Sequence, residues 1–303
     1  MKRSVLSILT ASAALVLGCF DLMAGEPLVG IQLYSARELF DTPEEYEANH
    51  GTIFKQLAKM GYNCVEAASY SDGKIYGVTP EEFRSDCAAS GLLPLSAHVF
   101  RNLTVEEFAA GKPSEETLRW WEECIRAHKT AGMKYIVTPW LYFENSGSSV
   151  PKTLAELKTY CDYLNTVGKM VSEAGMEYGY HNHSHEFSKV EGELMYDYML
   201  AHTNPDYVFF EMDVYWTVIG DSSPVDYFKK YPGRFKLLHI KDEREIGQSG
   251  MVGFDAIFAN AKTAGTKAVI IEVERSSYPG DIMRSIRESA TYLKKSGYTK
   301  ALR

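Results

Sequence analysis

The sequence predicts an α/β protein, a single-domain (β/α)₈ TIM barrel, on three observations. One phrase recurs along the 303 residues: an amphipathic helix ending in glycine, a short turn, and a short apolar strand. The predicted strands number eight. No low-complexity linker interrupts residues 26–303. Because alternating strands and helices form parallel sheets, eight such units predict a closed barrel. An open doubly wound sheet is disfavoured, since no G-x-G-x-x-G follows the first strand.

Six of the strands follow a helix that ends in glycine, a residue that adopts the left-handed conformation at little cost. These segments are KMGYNCVEA, ASGLLPLSAHV, TAGMKYIVTPW, EAGMEYGYHNH, YPGRFKLLHI and TAGTKAVIIEVE, with Gly61, Gly91, Gly132, Gly175, Gly233 and Gly265. The other two strands are predicted at Leu28–Ser35 and Val208–Trp216. Helix starts are predicted at Thr42-Pro43, Thr79-Pro80 and Ser223-Pro224, where a capping residue precedes proline.

The first residues are typical of an export signal. Two basic residues precede an apolar run from Val5 to Leu17, and small residues follow it. We assign residues 1–25 to a signal peptide or lipoprotein signal and residues 26–303 to the barrel. The segment VLGC, ending at Cys19, is similar to a lipobox, whereas a plain signal peptide would be cleaved near Ala24. Either alternative predicts an exported protein, periplasmic or lipid-anchored to a bacterial membrane through Cys19.

Composition restricts the partners of the chain. The formal net charge of -8 provides no basic face for a phosphate backbone, so we expect no nucleic acid partner. An aromatic content of 13% suits contacts with sugar rings, and a small carbohydrate is the expected partner, with a homo-oligomer left open. The remaining cysteines are expected to be buried small hydrophobic residues, although a pairing stays open in an exported protein: Cys64, Cys87, Cys124 and Cys161.

Ionisable residues occur near the ends of four consecutive predicted strands. Chemistry in barrel enzymes sits at the carboxyl ends of the strands, and residues two apart share a face. Strand five carries His181 and His183, strand six Glu211, Asp213 and Tyr215, strand seven His239 and Lys241, and strand eight Glu272 and Glu274. These polar side chains are therefore expected to converge at one end of the barrel.

Four of these residues predict one metal site: His181, Asp213, His239 and Glu272. Burying a single ionisable group is costly unless it is paired or binds a metal, and one shared ion accounts for all four strands. Imidazole and carboxylate ligands suit a divalent ion such as Mn²⁺, Zn²⁺ or Co²⁺. A lone histidine would more simply be a hydrogen-bonded structural residue.

The remaining polar and aromatic residues near the strand ends predict a substrate pocket. Glu66 and His98 are expected to contact substrate hydroxyl groups, with Gln32, Tyr34 and Ser96 completing the wall. Glu66 has the alternative of a structural ion pair with Lys or Arg across the barrel. The rings of Trp140 and Trp216, with Tyr142 and Phe143 nearby, are placed to stack on a sugar or to pack in the core.

At these residues the chain resembles the xylose-isomerase-like TIM-barrel superfamily of sugar isomerases and epimerases. The resemblance covers essentially the whole mature chain, through GIQLYSAR, GYNCVEAA, LSAHVF, EMDVYWTVIG, LLHIKD, GQSGMVGFDAIF and VIIEVE. It implies that Asp213, His239 and Glu272 are metal ligands. Strand five departs from the family pattern, since His181 stands where the family usually has a metal-binding glutamate. The family's inosose dehydratases also look histidine-rich at this strand, which keeps elimination chemistry open.

The resulting hypothesis is a metal-dependent isomerase or epimerase that acts on a sugar or keto-sugar through an enediolate. Glu272 or Glu274 removes a proton next to the carbonyl, and Lys241 stabilises the charge that develops. His183 or Glu186 is the second acid-base group, and Glu186 is also expected to contact substrate. The alternatives are a metal-dependent lyase or dehydratase, a keto-glycoside-cleaving enzyme, a non-catalytic sugar-binding barrel, and a barrel whose metal is structural.

Overall fold

A computed structural model of the chain describes residues 27–40, 42–143 and 147–302, and it confirms the predicted (β/α)₈ barrel. Eight parallel strands form one closed sheet in which each strand pairs with its neighbours along the sequence, and the last pairs with the first. They are β1 (Leu28–Gln32), β2 (Cys64–Ala67), β3 (Leu93–His98), β4 (Tyr135–Thr138), β5 (Glu177–His181), β6 (Val208–Asp213), β7 (Leu237–Lys241) and β8 (Ala268–Glu272).

Helices surround the sheet. They are α1 (Pro43–Met60), α2 (Pro80–Ala88), α3 (Val105–Ala110), α4 (Glu115–Thr130), α5 (Leu154–Glu173), α6 (Met195–His202), α7 (Val214–Ile219), α8 (Pro224–Lys230), α9 (Phe254–Ala259), α10 (Ala261–Ala264) and α11 (Ile282–Ser296). Short 3₁₀ turns lie at Leu33–Leu39, His185–Phe187 and Tyr298–Leu302. In the part of the chain that the structure describes, no helix combines the length and the apolar character needed to cross a bilayer.

The helix ends follow the predicted local chemistry. Thr42 and Thr79 both form capping boxes with a glutamate three residues later, and the Ser223 side chain accepts from the backbone of Asp226. All six glycines of the repeated phrase have positive φ. At Gly265 a side chain is also excluded by space, because an added Cβ would lie 2.8 Å from the Gly233 Cα.

Two predicted strands end earlier than the sequence pattern indicated. β1 stops at Gln32, and the residues up to Ser35 belong to a 3₁₀ turn. β6 stops at Asp213, whose side chain accepts from the backbone N–H of Trp216 and so begins helix α7. Tyr215 and Trp216 therefore lie on a helix above the barrel, and the prediction that they continue strand six was wrong.

The interior of the barrel changes character along its axis. The end at the strand amino termini, which we call the floor, is packed with apolar side chains: Cys64, Leu93, Leu95, Tyr135, Val137, Phe209, Leu237, Ala268 and Ile270. Above Gly179 the space is taken by the Phe209 ring, since an added Cβ would lie 2.6 Å from two of its atoms. The four cysteines after Cys19 are free and buried, as expected of small hydrophobic residues. The opposite end, the mouth, is where the ionisable groups lie.

Candidate metal centre and active site

Strand register brings the ionisable residues to matching heights at the mouth. In the parallel pairing Glu211 stands opposite His181, Asp213 opposite His239, and Lys241 opposite Glu272. Because residues two apart on a strand share a face, each of these strands presents its last inward residues to the barrel axis. Their side chains are nearly inaccessible to solvent, so the charges must be balanced by one another or by a bound ion.

Asp213, His239 and Glu272 form the upper group of candidate ligands. The His239 Nδ1 lies 3.6 Å from the Asp213 Oδ2 and 3.6 Å from the Glu272 Oε2. The Asp213 Oδ2 and His239 Nδ1 are both buried without a hydrogen-bond partner. Ligands at about 2.0–2.2 Å from a divalent ion are separated by distances close to these, and buried polar atoms are rarely left unpaired. The group therefore fits a divalent cation.

A second group lies around the other nitrogen of the same histidine. The His98 Nε2 is 2.7 Å from the Glu211 Oε2 and 3.1 Å from the Glu66 Oε1. The His181 Nδ1 is 3.2 Å from the same Glu211 oxygen, and the His239 Nε2 is 3.1 Å from the same Glu66 oxygen. His98, His181, Glu211 and His239 thus also lie close enough together to share an ion. The four predicted ligands fall into two overlapping sets joined by His239.

The electrostatics of this second group follow from burial and close packing of opposite charges. Burial and the adjacent Glu66 raise the pKa of Glu211 to about 7. Burial alone would lower the pKa of His98, but Glu66 and Glu211 raise it to about 9. The surrounding carboxylates likewise outweigh burial and raise the pKa of His239. Burial and the neighbouring His239 and His98 lower the pKa of His181, so the ring is neutral and one of its nitrogens has a lone pair that can bind a metal.

Lys241 joins the upper group to the open part of the site. Its Nζ donates to the Glu272 Oε2 at 2.7 Å and also contacts the Glu274 carboxylate. Burial would raise the pKa of Glu272, but the ammonium of Lys241 lowers it to about 2. Despite its own burial, Lys241 has a raised pKa because Glu272, Asp213 and Glu274 surround it. The indole of Trp216 lies over the ammonium, at 5.4 Å from ring centroid to Nζ.

Asn182 orients Asp213 from behind. Its side-chain oxygen accepts from the Asp213 N–H at 3.2 Å, and its amide nitrogen donates to the Asp213 carbonyl and the Thr217 hydroxyl, each at 3.3 Å. The Tyr196 hydroxyl donates to the same Asn182 oxygen. This network fixes the backbone from which the Asp213 carboxylate projects, and outer contacts that restrict a ligand residue reduce the freedom that it loses on binding.

The loop after β5 carries His183 and Glu186, the two candidates for the second acid-base group, and directs their side chains differently. His183 lines the cavity, and its Nδ1 is buried without a partner. Burial lowers the pKa of His183, which keeps the imidazole neutral near pH 7. Glu186 instead points into the protein and accepts from the Tyr180 hydroxyl at 2.6 Å and the His183 N–H at 2.8 Å. Its contacts are those of a residue that shapes the loop.

These groups lie at the bottom of a cavity of about 550 Å³ at the mouth. Of the predicted site residues, its lining includes His98, Trp140, His181, His183, Trp216, Lys241, Glu272 and Glu274. Asp213, His239 and Glu66 are fully buried beneath it. Glu66 accepts from the Gln32 amide at 2.9 Å in addition to its two histidines, so its partners are not the Lys or Arg of the structural alternative. Glu186 is also buried and does not line the cavity, and its Oε1 lies 3.0 Å from the Nε2 of His185, which does line it.

Glu211, Phe100 and His185 are among the site residues to which the sequence analysis assigned no role. Glu211 was noted only for sharing a face with Asp213, although its alternating position on strand six was the signal that places it here. Phe100 and His185 also line the cavity. Both lie in loops beyond strand ends, where no periodicity indicates the direction of a side chain.

Comparison with known proteins identifies relatives of the whole barrel. A family model described as a xylose isomerase-like TIM barrel matches residues 54–296. A solved structure of a sugar phosphate isomerase/epimerase from Parabacteroides distasonis is 33% identical, with a TM-score of 0.77, and the match covers 89% of this chain and 99% of that one. A structure of the IolI protein with a bound zinc atom is 17% identical, with a TM-score of 0.64 over 90% of this chain and 97% of that one, and shows likeness of fold alone.

Among curated relatives, inosose dehydratase 2 of Bacillus cereus is 27% identical over 146 residues, which is 48% of this chain and 45% of the relative. The chain therefore spans about half the length of the dehydratase it matches.

Proposed function

Because this chain belongs to the xylose isomerase-like TIM barrel family, we propose that it is a metal-dependent isomerase or epimerase of a sugar or keto-sugar. The observation that carries the proposal is the upper ligand group, with its two unpartnered buried atoms, directly beneath an open cavity that contains further acid-base groups. The Parabacteroides relative, named as an isomerase/epimerase, supports the same reaction class.

Asp213, His239 and Glu272 would hold the ion, and mixed carboxylate and imidazole donors favour Zn²⁺, Mn²⁺ or Co²⁺. A divalent ion supplies Lewis acidity, which makes the proton next to a carbonyl easier to remove. The zinc in the IolI structure supports a divalent metal, and we propose zinc for the first loading experiment.

Proton transfer is assigned to side chains on β8 and on the loop after β5. Glu272 is held as a carboxylate by Lys241, and Glu274 contacts the same ammonium while remaining partly exposed at the cavity wall. One of these carboxylates removes the proton, and His183, after taking up a proton from solvent as imidazolium, returns it from its own side; in the reverse direction neutral His183 removes the proton. Return to the same carbon from the other face gives an epimer, and return to the neighbouring carbon gives an isomer. Lys241 stabilises negative charge as it develops on the substrate oxygen.

Elimination is the second candidate, since curated relatives include inosose dehydratases and the site offers histidine where a second carboxylate was expected. In that reaction the carboxylate on β8 removes the proton as before, and His183, in the imidazolium form that it reaches by taking up a proton from solvent, would deliver this proton to the departing hydroxyl or alkoxide. The two reactions share the first step and differ in whether the carbon–oxygen bond beta to the carbonyl breaks.

The test is to incubate the zinc-loaded protein with a panel of ketoses and 3-keto-glycosides in deuterated water and to follow the products by NMR. Deuterium at a carbon next to the carbonyl, with the carbon–oxygen bonds intact, supports isomerisation or epimerisation. An unsaturated product or a released alcohol supports elimination. Glu272→Gln should reduce exchange at least about a hundredfold, which is the scale of an acid-base group or a metal ligand.

Glu173→Gln is the matched control, because this exposed glutamate lies at the end of α5 and is absent from the cavity lining. If the wild type binds sugar but shows no metal-dependent exchange, the protein is a non-catalytic sugar-binding barrel. Activity that survives both metal removal and Asp213→Ala would refute the proposed site.

We also propose that residues 1–25 direct export and that Cys19 carries a lipid, a prediction outside the described residues. The basic start, the apolar run to Leu17 and the VLGC segment support it. Cells expressing the full chain should yield a membrane-bound, palmitate-labelled protein, and Cys19→Ser should abolish the label. A label-free wild type cleaved near Ala24 would support the plain signal peptide. Self-association stays a prediction that light scattering on the purified protein would check.

A further inference from the structure

The outer part of the cavity wall is aromatic and open to solvent. Among the described residues five large hydrophobic side chains are exposed, and the two aromatic ones, Tyr34 at 44% and Phe100 at 45%, both line this cavity. Trp140 and Trp216 line it as well. Exposed rings that gather at one cavity are typical of a binding surface, because they contribute little to packing of their own chain.

Neighbouring contacts restrict these rings. The Phe100 ring meets the Trp140 ring edge to face at 6.1 Å, and Trp140 meets Tyr142 at 6.0 Å. The Arg37 guanidinium lies 4.4 Å from the centroid of the Tyr34 ring. The same guanidinium donates to the carbonyl oxygens of Tyr34 and Glu274. A ring already held in place loses little entropy when a ligand stacks on it.

The charges of the cavity do not favour a phosphate. Lys241 is the only lysine or arginine among the described lining residues, and it is already paired with Glu272 and Glu274. The His98 ring is likewise engaged with two buried carboxylates. Phosphate recognition needs an uncommitted cation or a set of free backbone donors, and the Glu274 carboxylate on the wall would repel the anion.

We propose that Phe100 and Trp140 form a subsite for a second, uncharged sugar ring, which makes the substrate a glycoside rather than a sugar phosphate. The inference rests on the proposed function, since it takes the reacting sugar to lie over the metal ligands. A ring attached to that sugar then extends toward the mouth, where apolar ring faces and polar edges match a pyranose. The cavity of about 550 Å³ is in the size range of pockets that enclose ligands larger than one monosaccharide.

Equilibrium binding tests this without requiring turnover. Calorimetry on the zinc-loaded protein would compare glucose, cellobiose and glucose 6-phosphate, and then galactose, lactose and galactose 6-phosphate. The disaccharide of at least one series should bind more tightly than its monosaccharide, and the sugar phosphate should bind no more tightly. Phe100→Ala should weaken disaccharide binding roughly two- to tenfold, the scale of one aromatic stacking contact, and leave the monosaccharide unchanged.

Phe100→Tyr should restore the disaccharide affinity, and Val105→Ala should change neither, because Val105 is exposed but does not line the cavity. Tighter binding of a sugar phosphate, equal loss of both ligands in Phe100→Ala, or no disaccharide advantage in either series would overturn the subsite. Absence of deuterium exchange would instead contradict the proposed reaction, so the two failures are distinguishable.

Discussion

The two ends of the barrel interior are built by the same eight strands and obey opposite rules. On β6 the floor residue Phe209 is followed by Glu211 and Asp213 at the mouth, and on β8 Ile270 is followed by Glu272. Apolar burial at the floor stabilises the fold, whereas each buried charge at the mouth costs free energy unless it is paired. The charged residues at the mouth are therefore explained by the ion and ligand that they would bind. The apolar residues at the floor are explained by their contribution to folding stability.

Asp213→Asn is expected to separate metal binding from folding stability most clearly. The amide can still accept from the Trp216 N–H, so helix α7 keeps its cap, but the charged ligand is lost. Zinc affinity should fall at least about a hundredfold, while the free energy of unfolding of the metal-free protein changes by less than about 1 kcal/mol. Chelator competition and urea unfolding measure the two quantities. Asp226→Asn serves as the control, because Asp226 is an exposed acid on α8. If Asp213→Asn lost much stability and kept its zinc affinity, Asp213 would act in folding rather than in metal binding.

His128, which is buried away from any carboxylate, tests whether a buried imidazole stays neutral when it has no charged partner of the kind found at the mouth. His128 on α4 is fully buried, its Nδ1 contacts the Cys124 carbonyl at 2.7 Å, and its Nε2 has no partner. Burial lowers its pKa from 6.5 to about 4, so it folds in the neutral form. Between these values the unfolded chain binds more protons, and folding stability is lost as the pH falls from about 6.5 to about 4.

This loss amounts to about 3 kcal/mol, the free energy of the pKa difference. Unfolding of wild type and His128→Asn should be compared at several pH values, since the asparagine removes the titrating ring and keeps a donor near Nδ1. The stability difference between the two proteins should change over this pH interval. A difference independent of pH would show that the buried imidazole does not titrate as described.

The floor should respond to added volume rather than to charge. In Gly179→Ala the new methyl group would lie 2.6 Å from the Phe209 ring, and we expect a loss of about 1–3 kcal/mol in the free energy of unfolding. Gly51→Ala on α1 meets nothing within 4 Å and should be neutral or stabilising, which makes it the matched control. Equal behaviour of the two variants in urea unfolding would mean that the floor is loosely packed.

The smallest effect is expected from Ile270→Val, at about 0.5–1.5 kcal/mol. An added Cβ on Gly30 would lie 2.6 Å from the Ile270 Cδ1, the atom that this change removes. Gly30→Ala should therefore cost less stability in the Ile270→Val background than in the wild type, and a double-mutant cycle measures the coupling. Additive costs would place the crowding elsewhere, for example at the Cys64 Sγ, which would lie 3.0 Å from the same Cβ.

The sequence predicted the barrel because its signals are local: capped helix starts, left-handed glycines and short apolar strands repeat in order. It predicted Asp213, His239 and Glu272 because alternation along a strand fixes the direction of a side chain. The sequence did not predict where strand six ends. The Asp213 side chain caps helix α7, which competes with continued strand pairing, and no local pattern indicates which of the two forms. The buried position of Glu186 and the exposed position of Phe100 could not be predicted, because loops have no period and only tertiary contacts determine where their side chains point.

The two carboxylate oxygens of Asp213 belong to two different features of the molecule. Its Oδ1 begins the helix that carries Trp216, and its Oδ2 faces His239 in the candidate metal centre. A shift of this carboxylate on metal binding would therefore reach, three residues along the chain, an indole that lies over the Lys241 ammonium at the cavity wall. The protein therefore contains its own optical reporter: we expect the emission of Trp216 to shift when zinc is added, before any sugar is present.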